Sequence, residues 1–131
     1  MKVLALDYGA ARTGVAVSDA TGTLARPLGV VRRAAAEAGL ARIAELAAEH
    51  DVARIVVGLP LTLRGELGEQ ARETERFVAA LVAVVSVPVE TYDERFTTTL
   101  ASQSGSSSAP EDARAAAFLL ASYLEREGGN D

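Results

Sequence analysis

The chain has 131 residues, a hydrophobic fraction of 49% and a formal net charge of −5, which suits one domain with a sizeable core and leaves too little chain for two ordinary ones. With no cysteine and a single histidine, His50, disulfides, thiol nucleophiles and Cys- or His-built zinc centres are excluded, so any metal has to be held by oxygen. The negative charge argues against strong non-specific nucleic-acid binding, whose affinity comes from neutralising phosphates, but leaves room for a local basic face.

In chain order, the first segment reads as an antiparallel meander: a strand from Lys2 to Leu6, a turn from Tyr8 to Arg12, a strand from Thr13 to Val17, a turn from Asp19 to Gly22, and a strand from Leu24 to Val31. From Ala34 to His50, Leu40, Ile43 and Leu46/Ala47 recur at helical spacing with Glu and Arg opposite, predicting an amphipathic helix. Arg54 to Pro60 is a short apolar strand ended by glycine and proline, followed by a glycine-punctuated loop from Leu61 to Gly68. Glu69 to Val84 is again helical, with Phe77, Val78, Leu81 and Val84/Val85 on the inner face, and Val87 to Tyr92 is the last strand. Thr97 to Ser102 has the length of one helical turn, and Gln103 to Ser108 is a low-complexity loop. Ser108-Ala-Pro-Glu111 then opens a closing helix with Ala113, Ala116/Ala117, Leu120 and Tyr123/Leu124 as its apolar stripe. The order β-β-β-α-β-α-β-α gives an α/β fold, a mixed sheet of about five strands with helices on its faces, in one domain over residues 1–131. No apolar run reaches membrane length and no signal-peptide core is visible, so a cytoplasmic protein without membrane contact is expected.

Chemistry concentrates on acids at element ends. The apolar run Val3-Leu-Ala-Leu6 ends in Asp7, although Asp is depleted in strands and a carboxylate facing a core is costly unless paired or metal-bound. Taken alone, Asp7 serves equally well as an acceptor for backbone N–H groups in the Tyr8-Gly9 turn. Glu94 follows the last strand and Asp112 lies in the first turn of the last helix. By themselves these read as a surface acid paired with Arg95 and an acid favoured by the helix dipole. Brought together, three carboxylates repel one another unless a cation sits between them. Hard oxygen ligands select Mg²⁺ or Mn²⁺, and two such ions roughly 3.5–4 Å apart support in-line phosphoryl displacement. Asp19 and Asp93 are assigned turn and supporting roles, and His50 a solvated position at a helix end.

Leu4-Ala-Leu-Asp-Tyr-Gly9 with Arg12-Thr-Gly-Val-Ala-Val-Ser-Asp19, Val56-Val-Gly-Leu-Pro-Leu61, Asp93-Glu-Arg-Phe-Thr-Thr98 and Asp112-Ala-Arg-Ala-Ala-Ala-Phe-Leu-Leu-Ala-Ser-Tyr-Leu124 resemble the YqgF/RuvX family of bacterial RNase H-like nucleases over nearly the whole length. The resemblance implies an RNase H-like fold and metal-dependent phosphodiester hydrolysis, with Asp7, Glu94 and Asp112 as catalytic metal ligands. It also places Arg12, Arg95 and Thr98 next to that centre, where phosphate contacts are expected. It points to two substrates, a four-way (Holliday) DNA junction and the 5′ end of a small-subunit ribosomal RNA precursor (pre-16S rRNA); the former implies a homodimer, because resolution takes two symmetric cuts. The chain departs from the family in lacking a basic stretch before the last helix. Substrate grip therefore falls to Arg12, Arg64, Arg72 and Arg95, although Arg64 and Arg72 serve equally well as surface partners of Glu66, Glu69 or Glu75. Other expectations compatible with the motifs are a non-catalytic nucleic-acid-binding module of the same fold, and an actin-like or sugar-kinase ATPase, which would need a second domain.

Overall fold

The computed structural model describes residues 1–97 and 109–128. Five strands, β1 (Val3–Asp7), β2 (Arg12–Ser18), β3 (Ala25–Arg32), β4 (Arg54–Leu59) and β5 (Val89–Asp93), form one sheet in the order β3-β2-β1-β4-β5. The first three strands run as an antiparallel meander, and β1, β4 and β5 are parallel neighbours. Helix α1 (Glu37–Glu49) connects β3 to β4, and α2 (Glu69–Val82) connects β4 to β5. A 3-10 turn at Glu94–Phe96 follows β5, and α3 (Glu111–Gly128) closes the chain. The expected element order and mixed sheet are found.

Strand alternation sorts β1 onto two faces. Leu4 and Leu6 join Val15, Val17, Ile43, Val57, Phe77 and Leu81 in one core, under α1 and α2. Val3 and Ala5 join Ala16, Val56, Tyr92, Ala116 and Leu120 in the other, under α3. Phe77 is fully buried and stacks on Tyr8 with ring centroids 4.4 Å apart; burying a side chain of that size contributes about 1.5–3 kcal/mol. Counting along β1, Asp7 shares parity with Val3 and Ala5, so it lies on the face covered by α3.

Boundaries differ from the sequence reading by more than one residue in three places. Residues 34–36 lie in the turn before α1, which starts at Glu37, because Ala36 is extended, with φ −75° and ψ 160°, and so serves as the residue that opens the helix rather than part of it. Helix α2 ends at Val82, so Val84 falls out of phase and is 47% exposed. Strand β5 runs over Val89–Asp93, since Pro88 has no N–H and offers only its carbonyl to Ile55. The predicted helical turn at 97–102, the loop at 103–108 and the Ser108 cap lie, apart from Thr97, outside the described residues. Among the described residues no helix is long and apolar enough to cross a membrane.

Candidate active site

Three elements deliver the three acids to one edge of the sheet. Asp7 ends β1, where it pairs with Gly14 of β2. Glu94 opens the 3-10 turn immediately after β5, two residues beyond Tyr92, which pairs with Gly58 of β4. Asp112 lies in the first turn of α3. Two glycines allow this approach. A Cβ at Gly14 would fall 1.8 Å from the Asp112 carbonyl oxygen, and one at Gly58 would fall 2.6 Å from Glu94 Oε1. The start of α3 thus lies directly on the β2 backbone, and the Glu94 side chain fills a space left open by β4.

Asp7 and Glu94 are half-buried and hydrogen-bonded to each other through their carboxyl groups. Two carboxyls can bond in this way only if one keeps its proton. The pair shares that proton, and Glu94 is pushed up to about 7 by burial first, then by its bond to Asp7 and the charges of Asp7 and Asp93. Asp7 is also raised, by burial and the charge of Asp112, against the lowering effect of the bond from Glu94. Asp112 itself is held by Arg12, with Nε 3.3 Å from Oδ2. The third acid is therefore near enough to be felt by Asp7 but is turned to a cation of the chain. Accordingly, among the described residues no three His, Cys, Asp or Glu side chains close around a common point that would hold a metal.

A cavity of about 260 Å³ opens beside the pair, lined by Asp7, Glu94, Thr97, Ala115, Phe118 and Leu119. The Thr97 hydroxyl is buried there without a hydrogen-bond partner. Sequence reasoning missed Thr97, although it sits inside the Asp93-Glu-Arg-Phe-Thr-Thr98 stretch. Thr98 lies outside the described residues.

The structure also locates the basic candidates. Asp93 receives the Arg95 guanidinium through Nε at 3.0 Å and a terminal nitrogen at 2.6 Å, and its carboxyl is held below the usual range by that bond. Arg95 also donates to the Leu63 carbonyl at 3.4 Å, joining β5 to the loop before α2. Arg64 in that loop and Arg72 on α2 are exposed, and among the described residues neither forms an ion pair with Glu66, Glu69 or Glu75. Asp19 does not support the site. It lies at the other end of β2, accepts from Thr21 and from the Thr23 and Leu24 N–H groups, and is lowered to about 2 by those bonds. His50 caps the end of α1, partly exposed, as expected.

Residues 1–126 match the family described as "RuvX: Holliday junction resolvase". A protein of Chloroflexus aggregans named "Putative pre-16S rRNA nuclease" is 50% identical over 101 residues, 77% of this chain and 71% of that relative. One of the same name from Chloroflexus aurantiacus is 41% identical over 136 residues, 98% and 89% of the two chains. Among solved structures, T. thermophilus RuvC in complex with a Holliday junction substrate superposes with a TM-score of 0.67 at 19% identity, covering 98% of this chain and 96% of that one. Fowlpox virus resolvase with Holliday junction DNA gives 0.55 at 12% identity, with 97% and 99% covered. At such identities the structures share the fold. The sequence relatives carry the closer kinship, and with a match reaching from the first strand to the last turn of α3, the chain belongs to the RuvX family.

Proposed function

We propose that the protein is an endonuclease that hydrolyses phosphodiester bonds with the help of Mg²⁺ or Mn²⁺, two ions in all, on a Holliday junction, on the 5′ end of pre-16S rRNA, or on both. The observation that carries this is the half-buried Asp7–Glu94 carboxyl pair beside an unpartnered hydroxyl, with Asp112 close by. The names of the family and of the curated relatives supply the two substrates.

The donor set fits a hard divalent cation: it is all oxygen, its acids hold a proton where a cation would hold them ionised, and the space at Gly58 lets Glu94 reach it. Asp7 and Glu94 would hold it from the strand ends and Asp112 from α3. The chemistry such a cation supplies is activation of water and neutralisation of charge on the phosphate. The rest is work of the chain. Ala115, Phe118 and Leu119 wall the cavity with apolar surface that limits bulk water. Arg12, released from Asp112, can reach a phosphate oxygen with its planar guanidinium. Arg95, braced by Asp93, keeps the loop that carries Arg64 beside β5. In-line attack leaves a 5′-phosphate and a 3′-hydroxyl.

The test is cleavage of end-labelled four-way DNA junctions and of a pre-16S rRNA 5′-leader RNA, in Mg²⁺, Mn²⁺ or EDTA. Asp7→Asn keeps the shape and removes one charge, and is expected to lower cleavage by about 10²-fold or more, the scale of one lost charged contact at a reaction centre. Paired symmetric nicks at the junction would identify a resolvase and require a homodimer, visible as a doubled mass; cutting of the RNA alone would assign rRNA maturation. Cleavage that survives in Asp7→Asn or in EDTA would sink the proposal.

A further inference from the structure

The β2–β3 edge of the sheet carries arginines that lie outside the motifs. Across the β2–β3 pairing, Arg12 and Arg32 are direct Cα partners. Both are exposed. Like charges placed opposite one another on a sheet repel, and Arg12 alone has an acidic partner, Asp112. Val31 points into the core under α1 and α2, so alternation puts Arg32 on the α3 side, the side that carries Asp7.

Arg33 adds an independent sign. Its φ of 49° is a conformation that favours glycine, and it is fixed there by two backbone bonds: its N–H donates to the Ala11 carbonyl at 3.0 Å and its carbonyl accepts from Ala36 at 2.9 Å. Glycine would suit the fold better. Instead a long exposed cation stands at this point, tied to the β1–β2 turn that follows Asp7. Among the described residues no ion pair reaches Arg32 or Arg33. A chain with net charge −5 thus carries two arginines, outside any ion pair among the described residues, at the end of β3 next to Arg12.

We infer that Arg32 and Arg33, with Arg12, form a phosphate-binding ledge at the end of edge strand β3 that grips the sugar-phosphate backbone of a nucleic acid next to the scissile bond. The inference rests on the nucleic-acid reading above and names residues that no motif singles out. Guanidinium groups suit phosphates because they stay charged and can donate two parallel hydrogen bonds. A ledge of three has a definite signature: each phosphate neutralised releases counterions, so the salt dependence of binding counts the arginines engaged.

The experiment measures fluorescence anisotropy of a labelled four-way DNA junction and of the rRNA leader with the uncut-binding frame Asp7→Asn, across about 50–200 mM NaCl. Arg32→Gln and Arg33→Gly are added separately, with Arg42→Gln as a charge-matched control on α1, where Arg42 pairs with Glu45 and Glu49 on the opposite face. Each ledge variant is expected to weaken binding several-fold at 50 mM salt and to flatten the slope of log K against log salt by about 0.7–0.9, while the control changes neither. Arg33→Gly is also expected to melt no lower than its parent, which separates lost binding from lost fold. The DNA and RNA arms show which backbone the ledge serves. Unchanged slopes with intact binding would overturn the ledge alone, and a variant that instead self-associates would assign the arginines to edge protection. If Asp7→Asn protein binds neither nucleic acid, the nucleic-acid reading fails and the ledge with it.

Discussion

A carboxyl that keeps its proton near neutrality makes stability depend on pH in the direction opposite to that of an ion-paired acid. In the unfolded chain Glu94 titrates near its ordinary 4.5, and in the fold it holds its proton to about 7. Between those values the unfolded state has already lost the proton, so rising pH favours unfolding. The contribution is fully present below 4.5 and is lost as pH climbs through 7. Asp7 is shifted the same way. In EDTA, the melting temperature of wild type is expected to fall between pH 5 and pH 8 relative to Glu94→Gln, which has no proton to lose. Parallel melting curves for the two proteins across that range would remove the shared proton from the account. At this scale the sequence singled out the acids that the fold brings to one sheet edge, because a carboxylate ending an apolar strand is conspicuous. It did not show that Glu94 bonds Asp7 while Asp112 turns to Arg12, since partners far apart in the chain leave no local trace. Thr97 went unnoticed for a related reason: an unpartnered hydroxyl is defined by what surrounds it.

Among the elements, α3 combines core packing with one of the three candidate acids. Its alanines, Ala113, Ala116 and Ala117, bury against a sheet face that is itself small at Ala5, Gly14 and Ala16, and this mutual smallness lets the helix lie close. Further along, the Tyr92 hydroxyl and Ser122 Oγ are 2.8 Å apart, and Ser122 Oγ donates to the Phe96 carbonyl at 2.9 Å. Ser122 has one proton to give, so Tyr92 must be the donor to it, and the chain of bonds ties α3 to the turn that starts with Glu94. Gly14→Ala would drive a methyl group into the Asp112 carbonyl. We expect a loss of about 1–3 kcal/mol in urea unfolding, as for other overpacked sites, together with a fall in cleavage of at least about tenfold as Asp112 moves. A variant as stable and active as wild type would show that the start of α3 is not fixed by β2. Helical periodicity revealed α3 and both other helices in the sequence. Their ends were harder to read, because they depend on single backbone states such as the extended Ala36 before α1.

For the molecule as a whole, position in the sheet should govern dynamics. Residues Val3–Leu6 of β1 and Ile55–Val57 of β4 are fully buried between two helical layers, whereas β3 and β5 are edges and their strands are only partly covered. Hydrogen exchange is therefore expected to be slowest in β1 and β4 and faster in β3 and β5, with central amides opening only on global unfolding. Equal protection in β3 and β1 would contradict that layering. The fold class was legible because three alternating strands followed by β-α-β crossovers leave few topologies open. How closely the strands' ends converge on one site was not, because that depends on glycines whose meaning appears only when their neighbours are in place.

The three candidate acids also lie far apart in the order of synthesis: the first strand, the last strand and the final helix. A chain broken anywhere before Asp112 lacks not only an acid but the entire layer that covers Val3, Ala5, Ala16 and Val56. Such a fragment exposes a sticky apolar sheet and lacks one of the three acids proposed to hold the cation. If the proposed reading holds, a partly made or clipped copy cannot cut, and cutting power arrives only with the last helix.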